Sequence, residues 1–135
     1  MAALTTSDAV AVAEFRSALR VFLRRSERIA RQSGLTPQRY LLLLMVKGAP
    51  DGSEQSTVTE LSERLQLAQS TVTELVSRAE DAGLLAREQS QLDARVAHLR
   101  LTPEGERRLE LAFTELSDER MQLREAIAHL EERLD

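Results

Sequence analysis

Between Ser56 and Gly105 the chain reads as a helix, a tight turn, a second helix, a two-stranded hairpin and the start of another helix. Thr57 and Glu60 form a capping-box pattern, and Val58, Leu61 and Leu65 define the buried side of the helix that follows. Gln66-Leu67-Ala68 is the turn. The second helix opens with Gln69-Ser70-Thr71-Val72-Thr73, short hydroxyl and amide side chains where most helices carry charge. It buries Val72, Leu75, Val76 and Ala79, and stops at Gly83, which suits a left-handed C-cap. Leu84 to Glu88 and Arg95 to Leu101 read as paired strands. Ala97, Leu99 and Leu101 are expected to point inward, with Val96, His98 and Arg100 outward. A polar helix start that can meet base edges, followed by a β-wing with Asp93-Ala94-Arg95 at its foot, is the layout of a DNA-reading winged helix-turn-helix.

The flanks are helical. Val12, Phe15, Leu19, Phe22, Leu23 and Ile29 recur near the helical period, which predicts a first helix over about 7–32. Arg16, Arg20 and Arg24 follow one another at four-residue spacing, and Arg28 and Arg31 complete a basic face. Thr36 caps a second helix with Pro37 at its first position, where a missing N–H costs nothing. Tyr40 to Val46 is apolar almost all round, so that helix is expected to be central and buried. Gly48 to Gly52 is a loop. Thr102-Pro103 restarts a helix whose apolar positions run through Leu109, Ala112, Phe113 and Leu116. Leu116, Arg120, Leu123, Ile127, Leu130 and Leu134 keep a four-three spacing, the seam of a helix packed on another helix, interrupted once by Arg120. One long helix and two shorter ones both fit this tail, with Ser117-Asp118 either capping a new helix or lying on an exposed face.

At 135 residues the chain is expected to be one domain, mainly α with a small β-wing: a winged lobe over 36–105, flanked by helices over 7–32 and 103–134. Aromatics are scarce, so the core falls to Leu, Val and Ala. No cysteine is present, which excludes disulfides, thiolate nucleophiles and cysteine-based redox sensing. No signal-peptide layout and no apolar run long enough to span a bilayer occur, so a soluble cytoplasmic protein without membrane contact is expected. The net charge is -4 but unevenly spread. Residues 1–35 carry six arginines against three acids, residues 56–100 five against seven, and residues 101–135 five against ten. The acid is concentrated in the tail, and the local field governs phosphate contact. The reading segment is nonetheless not basic, so phosphate affinity should be modest and rest on a few arginines.

The run Leu65-Gln66-Leu67-Ala68-Gln69-Ser70-Thr71-Val72-Thr73-Glu74-Leu75-Val76-Ser77-Arg78-Ala79-Glu80-Asp81-Ala82-Gly83-Leu84-Leu85, followed by Asp93-x-Arg95-x-x-x-Leu99-x-Leu101-Thr102-x-x-Gly105, resembles the MarR family of bacterial transcriptional regulators. The likeness extends from the first helix through Leu116. It implies a homodimer whose N- and C-terminal helices entwine and set two winged lobes on double-stranded DNA carrying an inverted-repeat operator. Members of this family usually repress nearby genes. They release DNA when a small aromatic or anionic effector binds between the dimer helices and the winged lobe. Two departures stand out: Glu74 occupies a position where many members tolerate a basic residue, and the C-terminal region is short.

Gln69, Ser70, Thr71 and Thr73 are candidate DNA contacts, although Ser70 or Thr71 is also able to serve as a helix cap behind Ala68. Asp93 and Arg95 are either a simple ion pair or, as the resemblance implies, a wing-tip unit in which the Asp orients an Arg that enters the minor groove. Arg78 faces away from the buried side and is either a DNA contact or merely solvated. Arg16, Arg20, Phe22 and Tyr40 are candidate walls of an effector pocket. The alternatives are a solvated or ion-paired arginine face and ordinary core aromatics. His98 and His129 are separated by a whole helix and lack a nearby acidic cluster of metal spacing, so no metal site is expected, and no cofactor-binding pattern occurs. An enzyme fares worst among the function classes, since no nucleophile–base pair, phosphate-binding glycine loop or metal constellation is present. A winged-helix protein-interaction module without ligand response is the alternative to a regulator, and it would account for the acidic balance of residues 56–100.

Overall fold

The computed structural model describes residues 3–134. Helix α1 spans Thr6–Gln32, capped by the Thr5 hydroxyl, which accepts from the Asp8 N–H. Helix α2 (Pro37–Lys47) begins at Thr36 with proline in its first turn, as its sequence predicts. A two-residue strand β1 (Gln55–Ser56) follows, then α3 (Val58–Leu65) and α4 (Gln69–Asp81). Strands β2 (Leu85–Gln89) and β3 (Ala97–Leu101) form the wing, and α5 (Pro103–Glu115) and α6 (Ser117–Arg133) complete the chain.

The capping box of α3 is formed in both directions: Thr57 Oγ1 accepts from the Glu60 N–H, and Glu60 accepts from the Thr57 N–H. The turn into α4 is made by Gln66 in the left-handed region (φ 56°) and closed by Ser62. Its hydroxyl donates to the Leu67 carbonyl at 2.6 Å while its own carbonyl accepts from the Leu67 N–H. Gly83 (φ 76°) ends α4, with the Leu84 N–H reaching back to the Ala79 carbonyl.

Four features depart from the sequence reading. The sheet has three strands, ordered β1-β3-β2, because Gln55 and Ser56 pair antiparallel with Arg100 and Leu99. The hairpin strands are shorter on one side: Arg95 and Val96 lie in the wing loop, and Leu84 precedes β2. Only Leu99 and Leu101 are fully inward on β3, while Val96, Ala97 and His98 are all half-buried, because this end of the hairpin runs beyond the helices. Within α2, Tyr40, Leu42, Leu43 and Val46 are buried but Leu41 is exposed.

The tail is two helices. The chain breaks at Leu116, which is 1 % exposed and stands at the C-cap of α5 and the N-cap of α6. No side chain caps α6, so Ser117 and Asp118 open its first turn rather than close it from outside. Burying the Leu116 side chain fixes the bend. α6 then runs back along α1: Leu123 borders a small hollow shared with Ala18, Val21 and Phe22, Arg25 donates to Gln122 Oε1 at 2.9 Å, and His129 sits 3.6 Å from Glu14. The seam thus finds its first cover within its own chain.

One core holds the lobe together. Leu42, Leu43 and Val46 of α2 meet Leu61, Val72, Val76, Leu99 and Leu116, all essentially inaccessible. Each such side chain contributes roughly 1.5–3 kcal/mol of burial. α5 is tied to the end of α1 by Arg108, which donates to the Gly34 carbonyl (3.1 Å) and to Glu104 (2.8 Å). Arg107 also grips Glu104, and the two guanidiniums hold this carboxyl down from an ordinary 4.5 to about 2. A depressed folded-state pKa means the stabilisation is present above the unfolded value and disappears as pH falls toward the folded one. Glu104→Gln should therefore lower the thermal midpoint at neutral pH, and the gap to the native chain should close between about pH 4.5 and 2. A gap independent of pH would remove the ion pairs from this role.

Candidate nucleic-acid interface

Helix α4 is the most exposed helix of the lobe along its outward side. Val72, Leu75, Val76 and Ala79 face the core, leaving Gln69, Ser70, Thr71, Thr73, Glu74, Ser77, Arg78 and Asp81 exposed. With roughly 3.6 residues per turn, Ser70, Glu74, Ser77 and Asp81 form the row diametrically opposite the core. Thr73 flanks this row on one side; Thr71 and Arg78 flank it on the other.

Four helices of this chain, α1, α2, α3 and α5, start at a threonine whose hydroxyl caps the first turn. Helix α4 does not. Its cap position is Ala68, and no side chain accepts from its first N–H groups. Ser70 and Thr71 lie inside the helix, so the capping alternative is not realised. The first N–H groups of an uncapped helix have no intrahelical partner and sit at the positive end of its dipole, which favours an anion. Gln69 is steered by a contact that sequence reasoning missed: its Nε2 donates to Thr59 Oγ1 on α3 at 3.4 Å. That leaves its amide oxygen without this partner.

The wing tip is a small hydrogen-bonded unit. The Ser90 N–H donates to the Val96 carbonyl, the Val96 N–H to the Asp93 carbonyl, and the Ser90 hydroxyl accepts from the Leu92 N–H. Asp93 Oδ1 accepts from both the backbone N–H (3.0 Å) and Nε (3.2 Å) of Arg95, and Oδ2 accepts from its Nη2. These bonds hold the Asp93 carboxyl below the usual carboxylate range. The Arg95 side chain is 91 % exposed, so the aspartate aims it outward without covering it. Leu92 beside it is 99 % exposed.

The other arginines of the segment are occupied. Arg64 donates to the carbonyls of Met45 (2.6 Å) and Gly48 (3.0 Å), tying α3 to the end of α2. Arg78 pairs with Glu74 one turn earlier, Arg87 pairs with Glu80 at 2.8 Å, and Arg100 donates to the Ser53 carbonyl at 3.3 Å. Exposed ion pairs are worth about 0–1 kcal/mol, so Arg95 and Arg78 exchange an internal partner for a phosphate at small cost. Arg64 and Arg100, bonded to backbone, are structural. None of these long-range partners carries a sequence signal.

The four candidate pocket residues do not share one hollow. Arg16 and Arg20 line an open groove of about 450 Å³ on α1, with Leu19, Leu23, Arg24 and Glu27. Phe22 and Tyr40 line an apolar cavity of about 150 Å³ between α1 and α2, with Leu23, Ser26, Leu41 and Leu44 among its walls. The two adjoin at Leu23 and Glu27. Tyr40 is buried, which pushes its phenol above the ordinary value, partly offset by the positive charge of Arg120.

This arrangement has relatives. The MarR-family model matches residues 33–96, from the end of α1 through the wing loop. The chain is 30% identical over 115 residues to the uncharacterized HTH-type transcriptional regulator YsmB of Bacillus subtilis strain 168, spanning 82% of this chain and 76% of that protein. A MarR family protein from Bacillus stearothermophilus superposes with a TM-score of 0.69 at 30% identity, over 86% of this chain and 79% of that one. Reduced AbfR in a DNA-bound structure matches with a TM-score of 0.60 at 28% identity, over 76% of this chain and 72% of that one. A shared fold, the identity to YsmB and the ordered match of helix, turn, helix and wing converge, and the chain belongs to the MarR family of transcriptional regulators, with their DNA-binding winged helix.

Proposed function

We propose that the chain is a homodimeric, sequence-specific regulator that binds an inverted-repeat operator and represses the genes beside it. In this reading α4 enters the major groove and the wing approaches the adjacent minor groove. The observation that carries it is the uncapped, hydroxyl-rich start of α4, together with the aspartate-braced, exposed Arg95 at the wing. Gln69, Ser70, Thr71 and Thr73 contact base edges or the nearest phosphates, Arg78 a phosphate or base, and Asp93 orients Arg95. AbfR, a relative in fold, has been captured on DNA.

Dimerisation is supported by what α1 and α6 leave uncovered. Val10, Val12, Val21, Leu23, Leu111, Phe113, Met121 and Ile127 are all exposed on α1, α5 and α6, apolar surface that a second copy would cover. An effector that is aromatic or anionic suits the cavity at Phe22 and Tyr40 beside the arginine groove at Arg16 and Arg20. AbfR is also known in a disulfide-formed state, a chemistry that this cysteine-free sequence does not offer. No described helix is long and apolar enough to cross a membrane. The proposed site of action is the cytoplasm, as expected of a DNA-binding regulator of this family.

The test is a titration of fluorescent duplexes across salt. Binding should weaken steeply as salt rises, because phosphate neutralisation releases counterions. Arg95→Ala should weaken specific and unrelated duplexes by a similar factor, since wing contacts position the protein more than they read sequence. Undiminished affinity in Arg95→Ala at moderate salt would remove the wing from the interface. Absence of any salt-dependent binding would favour the protein-interaction module, which the acidic balance of residues 56–100 also suits.

A further inference from the structure

Glu74 stands in the middle of the outward row of α4, with Ser70 one turn before it and Ser77 after it. Its side chain and that of Arg78 are each more than 60 % exposed (63 % and 62 %), and the two are joined by a charge-assisted hydrogen bond. A carboxylate there is costly for a helix that approaches phosphates, because it repels every duplex alike. Arg78 offsets part of that charge, and a donor in the groove offsets the remainder.

Resting on the proposed docking of α4 in the major groove, we infer that the Glu74–Arg78 pair is a composite reader of one C·G base pair, with Glu74 the residue that sets specificity. The chemistry is complementary. In the major groove cytosine offers the N4 amine as donor, and its partner guanine offers O6 and N7 as acceptors. Glu74 is an acceptor only, and Arg78 is a donor only. Adenine also has an exocyclic amine, but its N7 lone pair lies beside it and faces the second carboxylate oxygen. Thymine and guanine present acceptors directly to Glu74 and are repelled. The internal ion pair holds both groups in register before contact. The same carboxylate lowers affinity for non-specific DNA, so discrimination is gained on both sides of the ratio.

The experiment uses the full chain, its best duplex from a random-sequence selection, every single-base-pair variant of that duplex, and an unrelated duplex of equal length. The native chain should prefer C·G at one position of each half-site by roughly five- to a hundredfold. Glu74→Ala should flatten preference at that position alone and bind the unrelated duplex more tightly. Glu74→Gln should move the preference there to A·T, because a glutamine amide pairs bidentately with adenine N6 and N7. A mere brace for Arg78 would not switch bases. Circular dichroism should be unchanged in both variants, as the side chain is on the surface.

If both variants keep the native preference at every position, or lose affinity equally on all duplexes, Glu74 is no reader and the inference falls while DNA binding stands. If the native chain shows no preference among duplexes, the docking of α4 itself is wrong, and the inference falls with it.

Discussion

Gly105→Ala should destabilise the chain by about 3 kcal/mol, at the upper end of what an overpacked core position costs. Gly105 is buried in the first turn of α5, and a Cβ there would lie 2.2 Å from the Leu84 carbonyl oxygen and 3.1 Å from its carbon. Neither side yields easily. The Leu84 carbonyl already accepts from the Thr102 N–H at 3.0 Å. The Thr102 hydroxyl donates to the Gly83 carbonyl at 2.6 Å and accepts from the Gly105 N–H at 3.0 Å. The end of α4, the root of the wing and the start of α5 are thus packed backbone against backbone. For a domain of this size the thermal midpoint should fall by roughly 10 °C. Affinity for DNA should drop as well, because the wing is hung from this junction. A midpoint within about 2 °C of the native chain would show that the junction accommodates a methyl group by a small shift and is not under such constraint.

Leu123→Asp combined with Ile127→Asp should yield a monomer or an unfolded chain without operator affinity. Leu123 is half-buried and borders a small hollow between α6 and α1 together with Ala18, Val21 and Phe22. Ile127, one turn on, is 40 % exposed and available to a second copy. Two carboxylates in this seam bring charge against apolar surface, at several kcal/mol. A two-fold dimer requires inverted half-sites about one helical turn, roughly 34 Å, apart, so losing the dimer loses the simultaneous grip on both. Light scattering and circular dichroism read mass and helix content together. A well-folded double variant that keeps twice the monomer mass would place the dimer contact elsewhere.

Much of the lobe is legible because its helix boundaries are written in local chemistry. Thr36-Pro37, the Thr57 and Glu60 box, Gly83 and Thr102-Pro103 each act within a few residues of themselves, and each stands where its signal falls. The features that escape sequence reading are those decided by distant partners. Strand β1 is two residues long, has no period of its own, and exists because Arg100 and Leu99 lie opposite it. The break at Leu116 carries neither glycine nor proline; burial of a leucine that also fits a continuous seam imposes it.

At the interface, the residue types at the start of α4 and the wing foot are readable, whereas the engagement of the arginines is not. Arg64 and Arg100 find carbonyls of Met45, Gly48 and Ser53, far away in the chain. Glu74 reads at first as a departure from a basic norm; its meaning emerges only with its place in the outward row and its bond to Arg78.

Selection from a pool of random duplexes by the purified full chain shows whether α4 and the wing of a dimer read DNA sequence. Sequencing the retained fraction should reveal an inverted repeat with half-sites about one helical turn apart, roughly 10 base pairs between centres. Enrichment should fade as salt is raised, since phosphate contacts supply much of the affinity. A retained pool indistinguishable from the input would mean that α4 and the wing read no sequence, and one enriched for a single undivided motif without symmetry would mean that the chain does not bind as a two-fold dimer.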